Sequence, residues 1–175
     1  MCRFSSAAPE CGVIVPGGIS GFAASIAASF CLTVPAQQST IVLMKIVADT
    51  NTFIAVALNE PERSTIIQLT EGSDLAAPEV LPFEIGNALT AMMKRGILYS
   101  DEIRTSWDII QQIPVELRRI DIRSALDIAA MFNIYAYDAY FLECARTLKC
   151  PLITLDRSMQ RIAREMGILV LEQSS

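Results

Sequence analysis

Histidine is missing from this 175-residue chain, and its absence removes whole classes of chemistry. No Ser-His-Asp or Cys-His catalytic unit can form, and no imidazole can ligate zinc or haem. Acid–base work falls to carboxylates, Lys, Tyr, Cys or metal-held water. Cysteine is sparse, at positions 2, 11, 31, 144 and 150 only. No C-x-x-C pair occurs and the odd number offers no complete disulfide framework, which suits a reduced, cytoplasmic setting. A glycine-rich phosphate loop is also lacking. Bases are outnumbered, with 14 Lys+Arg against 19 Asp+Glu and a net charge of −5. That balance argues against a broad basic surface that holds nucleic acid by charge alone. A polyanionic substrate would have to meet a local basic strip or bound cations.

Charge is nearly absent from the first 43 residues, where Arg3 and Glu10 stand alone in a run rich in Ala, Ser, Gly, Pro and Val. Three readings compete for this segment. Residues 12–35 are weakly apolar and could be a signal peptide, with a poor cleavage site at Val34-Pro35-Ala36. A membrane span is interrupted by Pro16, Gly17, Gly18 and Gly21. The reading preferred is an upstream extension added by a misassigned start, because Met44 opens directly onto a strand-like run and the segment lacks a charged leader region. Residues 1–43 are therefore expected to lie outside the domain and to be poorly ordered, with residues 44–175 forming one domain. No membrane association is expected.

What the chain does have is apolar material, 52% of its residues with a mean hydropathy of +0.40, enough for a sizeable core. From residue 44 onward strand and helix patterns alternate. Strands are expected over 46–48, 75–78, 115–120, 152–155 and 168–171. Helices are expected over 53–58, 61–72, 79–95, 100–113, 122–132, 137–148 and 156–166. Pro61, Ser100 and Asp121 mark helix starts, and Gly72, Gly96 and Gly167 mark stops. Strand–helix alternation over some 130 residues predicts an α/β domain with a parallel sheet. Such sheets place ligands at the carboxyl ends of their strands.

Four carboxylates stand in apolar surroundings. Asp49 ends the run Ile46-Val47-Ala48, and Asp156 ends Leu152-Ile153-Thr154-Leu155. Glu84 shares helical spacing with Leu81, Ile85, Ala88, Leu89 and Met92. Asp138 follows Tyr135-Ala136-Tyr137 and opens a helix bearing Phe141, Leu142 and Ala145. Each has a bland explanation. Asp49, Asp138 and Asp156 could be helix caps, and Glu84 could sit at a stripe's edge reaching for solvent. Glu143 reads as a surface residue. Taken together, four acids with no matching set of bases suit a hard divalent cation, Mg²⁺ or Mn²⁺, held by oxygen. Without it some of their pKa values should rise.

These segments, in this order, resemble the PIN-domain ribonucleases, and among them the VapC-type toxins of toxin–antitoxin modules. The motifs are Met44-Lys45-Ile46-Val47-Ala48-Asp49-Thr50-Asn51, Leu81-Pro82-Phe83-Glu84-Ile85-Gly86-Asn87-Ala88-Leu89, Tyr137-Asp138-Ala139-Tyr140-Phe141-Leu142 and Leu152-Ile153-Thr154-Leu155-Asp156. The resemblance implies a PIN-like three-layer α/β/α domain around a short central parallel sheet, and cleavage of single-stranded RNA with Mg²⁺ or Mn²⁺. It implies that Asp49, Glu84, Asp138 and Asp156 hold metal or its waters, and that Asn51 and Thr154 orient them. Ordinary β-propensity is the bland reading of Thr154. Either Asp138 or Asp156 would take the proton of the attacking water. The resemblance also implies a cognate antitoxin and a homodimer, with the helices over 61–72 and 79–95 apolar enough to offer a groove.

Lys94-Arg95, Arg118-Arg119, Arg123, Arg146 and Arg157 are candidates for contacts to the RNA backbone, and Tyr135, Tyr137 and Tyr140 for base stacking. Solvated helix faces and core packing are the ordinary alternatives. The rival function is a catalytically silent PIN-like module that binds RNA or protein. An aspartyl phosphatase would want a second acid two residues after Asp49, where Asn51 stands, and a receiver-like domain would want an acidic pair near the start of the domain.

Overall fold

The computed structural model describes residues 44–172. The run Lys45–Ala48 forms β1, the middle strand of a five-stranded sheet among the described residues. Ile46, Val47 and Ala48 are fully buried, as a strand covered on both faces requires. β2 (Asp74–Pro78), β3 (Val115–Arg118), β4 (Leu152–Ile153) and β5 (Val170–Leu171) complete the sheet in the order β3-β2-β1-β4-β5. Every pairing is parallel, with Val47 opposite Ala76 on one side and Leu152 on the other. The chain therefore winds outward from β1 in both directions, and the topological switch lies between β1 and β4. That crevice is where doubly wound sheets bind ligands.

Among the described residues seven helices connect the strands: α1 (Thr50–Ala57), α2 (Arg63–Thr70), α3 (Leu81–Lys94), α4 (Ser100–Ile110), α5 (Ile122–Phe132), α6 (Ala136–Leu148) and α7 (Arg157–Glu165). α1 packs against α2, α3 and α4, whereas α6 packs on α5, α7, β1 and β2. Right-handed crossovers place these two groups on opposite faces of the sheet, giving the three-layer α/β/α domain expected from the sequence. The core runs through both layers, from Phe53, Leu81, Ile85 and Leu89 on one side to Phe141, Leu142, Ile162 and Ala163 on the other. No helix of the described residues is long and apolar enough to cross a membrane. The expectations for residues 1–43 lie outside the described residues.

Most element ends differ from the sequence reading by a residue or two, and one difference matters. The break expected over Thr50-Asn51-Thr52 is instead the first turn of α1, which begins directly after Asp49. Asp49 makes this possible by accepting the Thr52 backbone N–H at 2.9 Å, replacing a partner the helix start cannot supply. A strand thus passes into a helix across one residue, and that residue is an acid. α3 begins two residues late, at Leu81, with Pro82 in its first turn where a missing N–H costs nothing. Gly96 and Gly167 end their helices at φ +72° and +75°, a conformation that an L side chain resists.

Candidate active site

Asp49 is 2% exposed and lies at the carboxyl end of β1. Both of its oxygens are occupied. Oδ1 accepts the Thr52 N–H and the Thr52 hydroxyl, each at 2.9 Å, and Oδ2 accepts the Thr154 hydroxyl at 2.5 Å. Thr154 follows β4, the neighbouring strand across the switch point, and is itself buried. Its hydroxyl oxygen also accepts the Asp156 backbone N–H at 3.0 Å. One threonine therefore ties the acid of β1 to the loop carrying the acid beyond β4. Gln160 braces that loop from α7, donating to the Thr154 carbonyl at 2.8 Å.

Glu84 and Asp138 come from the two helical layers. Glu84 occupies the first turn of α3 and is half-buried at the edge of the Leu81/Ile85/Leu89 stripe. Thr50 donates its hydroxyl to Glu84 Oε2 at 2.8 Å, joining the start of α1 to α3. Asp138, also half-buried, lies in the first turn of α6, where the helix dipole favours a negative charge. Asp156 departs from the sequence expectation of an apolar setting. It is exposed, and its Oδ1 caps α7 by accepting the Met159 N–H at 2.8 Å. The short strand β4 stops at Ile153, so Asp156 stands beyond the sheet's cover. Asn51 is exposed on α1.

The four acids share one electrostatic neighbourhood. Burial raises Asp49 above the ordinary Asp value of 3.8, opposed by its hydrogen bonds from Thr154 and Thr52 and helped by the charge of Asp156. Burial also raises Glu84, against its bond from Thr50, and the charges of Asp49 and Asp138 push the same way. Asp138 is raised by burial, then by Asp156 and Asp49. Among the described residues no Lys or Arg forms an ion pair with any of the four. Nor are three acidic or cysteine side chains placed to hold a metal ion together. Among the described residues the acids act on one another electrostatically without forming a closed cage. Mg²⁺ is commonly held in this way, through one or two carboxylates with waters filling the remaining positions. An all-oxygen donor set that lacks counter-charge fits a hard divalent cation.

The hydroxyls of Thr50 and Thr52 are the parts of this site that sequence reasoning missed. Their signal was the Asp-Thr-Asn-Thr string, in which hydroxyls follow a cap residue by one and three positions. A second correction concerns Glu143. It was expected on the surface and is 3% exposed within α6. Arg146 meets its Oε2 at 2.6 and 2.9 Å, and the Thr147 hydroxyl donates to its Oε1 at 2.9 Å. Its face of α6 packs inward, and the partners three and four residues on satisfy the charge. Arg146 is thereby engaged in the fold. Arg118 pairs with Glu116 and Arg119 with Glu79, while Lys94, Arg95, Arg123 and Arg157 are exposed.

Fold and site together define an α/β/α protein with an acidic centre at the switch point of a parallel sheet. The chain belongs to the PIN-domain family, whose model matches residues 46–165. Its sequence is 25% identical over 122 residues to ribonuclease VapC3 of Pyrobaculum aerophilum, a match covering 66% of this chain and 92% of that relative. The fold resembles PAE2754 of Pyrobaculum aerophilum, with a TM-score of 0.56 at 18% identity over 73% of this chain and 83% of the other. It also resembles VapBC2 of Rickettsia felis, solved bound to a DNA fragment from its promoter, with a TM-score of 0.51 at 14% identity over 74% and 98%.

Proposed function

We propose that this protein is a Mg²⁺- or Mn²⁺-dependent endoribonuclease that hydrolyses single-stranded RNA, acting in the cytoplasm as the toxin of a type II toxin–antitoxin pair. The observation that carries the reading is Asp49, buried without a base and held at both oxygens, with three further carboxylates in its field. Burying a charge in this way costs several kcal/mol unless a counter-charge arrives. Asp49, Glu84, Asp138 and Asp156 would hold the cation directly or through water, with Asn51 and Thr154 orienting them. When bound, the cation supplies charge neutralisation at the phosphate and acidifies water.

The chain's own residues divide the remaining work. Thr52 and Thr154 fix both oxygens of Asp49, and Thr50 fixes Glu84, so these acids act as positioned anchors. Asp156 commits one oxygen to the Met159 amide. Asp138 is the acid suited to take a proton, since its affinity for protons is raised and no hydrogen bond within the described residues ties its oxygens down. The water oxygen bonds to phosphorus as the bridging P–O bond breaks, Asp138 accepts the water's proton, and the leaving oxygen takes a proton from solvent water.

The partner proposed is a cognate antitoxin, supported by the VapBC2 likeness, with a homodimer as the assembled form. An apolar pocket of about 160 Å³ between α1 and α2, lined by Phe53, Val56, Ile66 and Ile67, is of a size to take an apolar anchor side chain from a partner helix. The test is cleavage of a labelled single-stranded RNA pool by the whole chain in Mg²⁺, Mn²⁺ or EDTA, beside Asp49→Asn. Cutting that needs the metal and disappears in the variant is expected. Full activity of Asp49→Asn would refute the proposed site.

A further inference from the structure

A groove of about 520 Å³ opens at the carboxyl ends of β2 and β3, where the first turn of α6 passes over them. Its size is within the range of roughly 300–1,000 Å³ typical of small-ligand sites. Its walls are unlike the rest of this acidic protein. Arg118 and Arg119 stand on one side, Tyr137 and Tyr140 on the other, and Val80 and Ile120 contribute apolar surface. Tyr137 and Tyr140 come from the start of α6, the same helix that carries the proposed proton acceptor Asp138.

We infer that this groove is a nucleotide subsite, in which the base of a residue beside the scissile phosphate stacks on the tyrosines while Arg119 meets the backbone phosphate. The inference rests on the nuclease reading above and names the path of its substrate. The chemistry of the walls supports it. Single-stranded RNA is read by splaying bases onto aromatic and guanidinium planes, with cations tracking the backbone. Tyr137 is 51% exposed yet fixed against Tyr140 in an edge-to-face pair, with centroids 5.9 Å apart and an interplanar angle of 75°. A ring already held in place loses little freedom when a base lands on it.

Arg119 is 90% exposed and reaches Glu79 at only 3.4 Å. So open a pair contributes little, and a phosphate can take the guanidinium from Glu79. Arg118 is held on Glu116, which leaves Arg119 as the groove cation freer to exchange its partner. Two arginines against the acid Glu79 leave the groove lining net basic, unlike the molecule as a whole.

The experiment measures binding of a labelled single-stranded RNA pool by fluorescence anisotropy, using the whole chain carrying Asp49→Asn so that the RNA survives. Added to this background, Tyr137→Ala and Arg119→Ala should each weaken binding about 10-fold, the scale of one lost base stack. Tyr137→Phe should bind like the parent, because stacking needs the ring and not the hydroxyl. Arg119→Ala should also lower the slope of log affinity against log salt by about 0.7, the value for one phosphate contact on a single strand. Arg161→Ala, on the exposed face of α7, is the control and should change little.

Binding equal to the parent in both Tyr137→Ala and Arg119→Ala overturns the subsite, as does absence of RNA binding by the parent. Cleavage by the unmodified chain is measured in parallel and separates the two ideas. Cutting without sensitivity to these residues leaves the nuclease and removes the subsite. Binding that depends on them without cutting keeps the subsite and removes the nuclease.

Discussion

Thr154 is where single atoms matter most. Its hydroxyl donates to Asp49 and accepts from the Asp156 amide, so it links two carboxylate positions on neighbouring segments of the sheet. Thr154→Val keeps the shape and removes both bonds. Metal affinity is expected to fall about 10- to 100-fold, as for loss of a group that orients a ligand. The fold should lose about 1–3 kcal/mol, because one oxygen of a buried acid is left unpaired. Titration calorimetry with Mn²⁺ checks the first effect and thermal unfolding the second, with Thr154→Ser expected to restore both. Asp49→Asn acts in the opposite direction on stability. It removes a buried charge while keeping an acceptor for Thr52, so in EDTA it should raise stability by about 1 kcal/mol, a few degrees in Tm.

At the scale of the element, α6 carries the proposed proton acceptor on its first turn and a buried acid paired with a half-exposed arginine near its other end. Glu143 is covered on all sides, and Arg146 is half-exposed above it. Arg146→Met would leave that carboxylate buried without its base. Breaking fully buried pairs costs about 3–5 kcal/mol, and the partial exposure of Arg146 reduces the expected loss to about 2–3 kcal/mol. Adding Glu143→Gln should recover much of it, which urea unfolding of the single and double variants would measure. Helix α3 shows the more common source of stability. Leu89 is 1% exposed on the buried stripe, one turn beyond Ile85. Leu89→Ala should cost about 2–5 kcal/mol through lost contacts and a residual cavity.

The acidic centre also shapes the pH response of the whole molecule. Asp49, Glu84 and Asp138 all bind protons more tightly when folded than their ordinary values of 3.8, 4.5 and 3.8. Groups raised in this way contribute their stability fully below the unfolded values, and lose it as pH rises through the folded ones. In EDTA, their contribution to Tm should therefore fall as pH climbs from about 4, and Asp49→Asn should flatten that fall. A divalent cation should reverse the loss, since a ligand that binds only the folded state adds about 2.7 kcal/mol at 100 times its Kd. Differential scanning calorimetry across pH, with and without Mn²⁺, tests both signs. A Tm that ignores the cation in the unmodified chain would count against the proposed metal site.

The sequence by itself determined the elements and the oxygen chemistry. Helix starts at Asp121 and Ser100, stops at Gly96 and Gly167, and the apolar run before Asp49 are local features, governed by backbone geometry and capping within a few residues. The lack of histidine and the excess of carboxylates restricted the chemistry in the same direct way. Tertiary structure alone decided the strand order β3-β2-β1-β4-β5, and with it which acids come within reach of one another. It made Glu143 buried and Asp156 exposed, the reverse of the sequence expectation for each. It also brought Thr154 to Asp49 across 105 positions of sequence. Burial and hydrogen-bond partnership depend on which element packs over a side chain, and that neighbour is set by contacts remote in the chain rather than by local spacing.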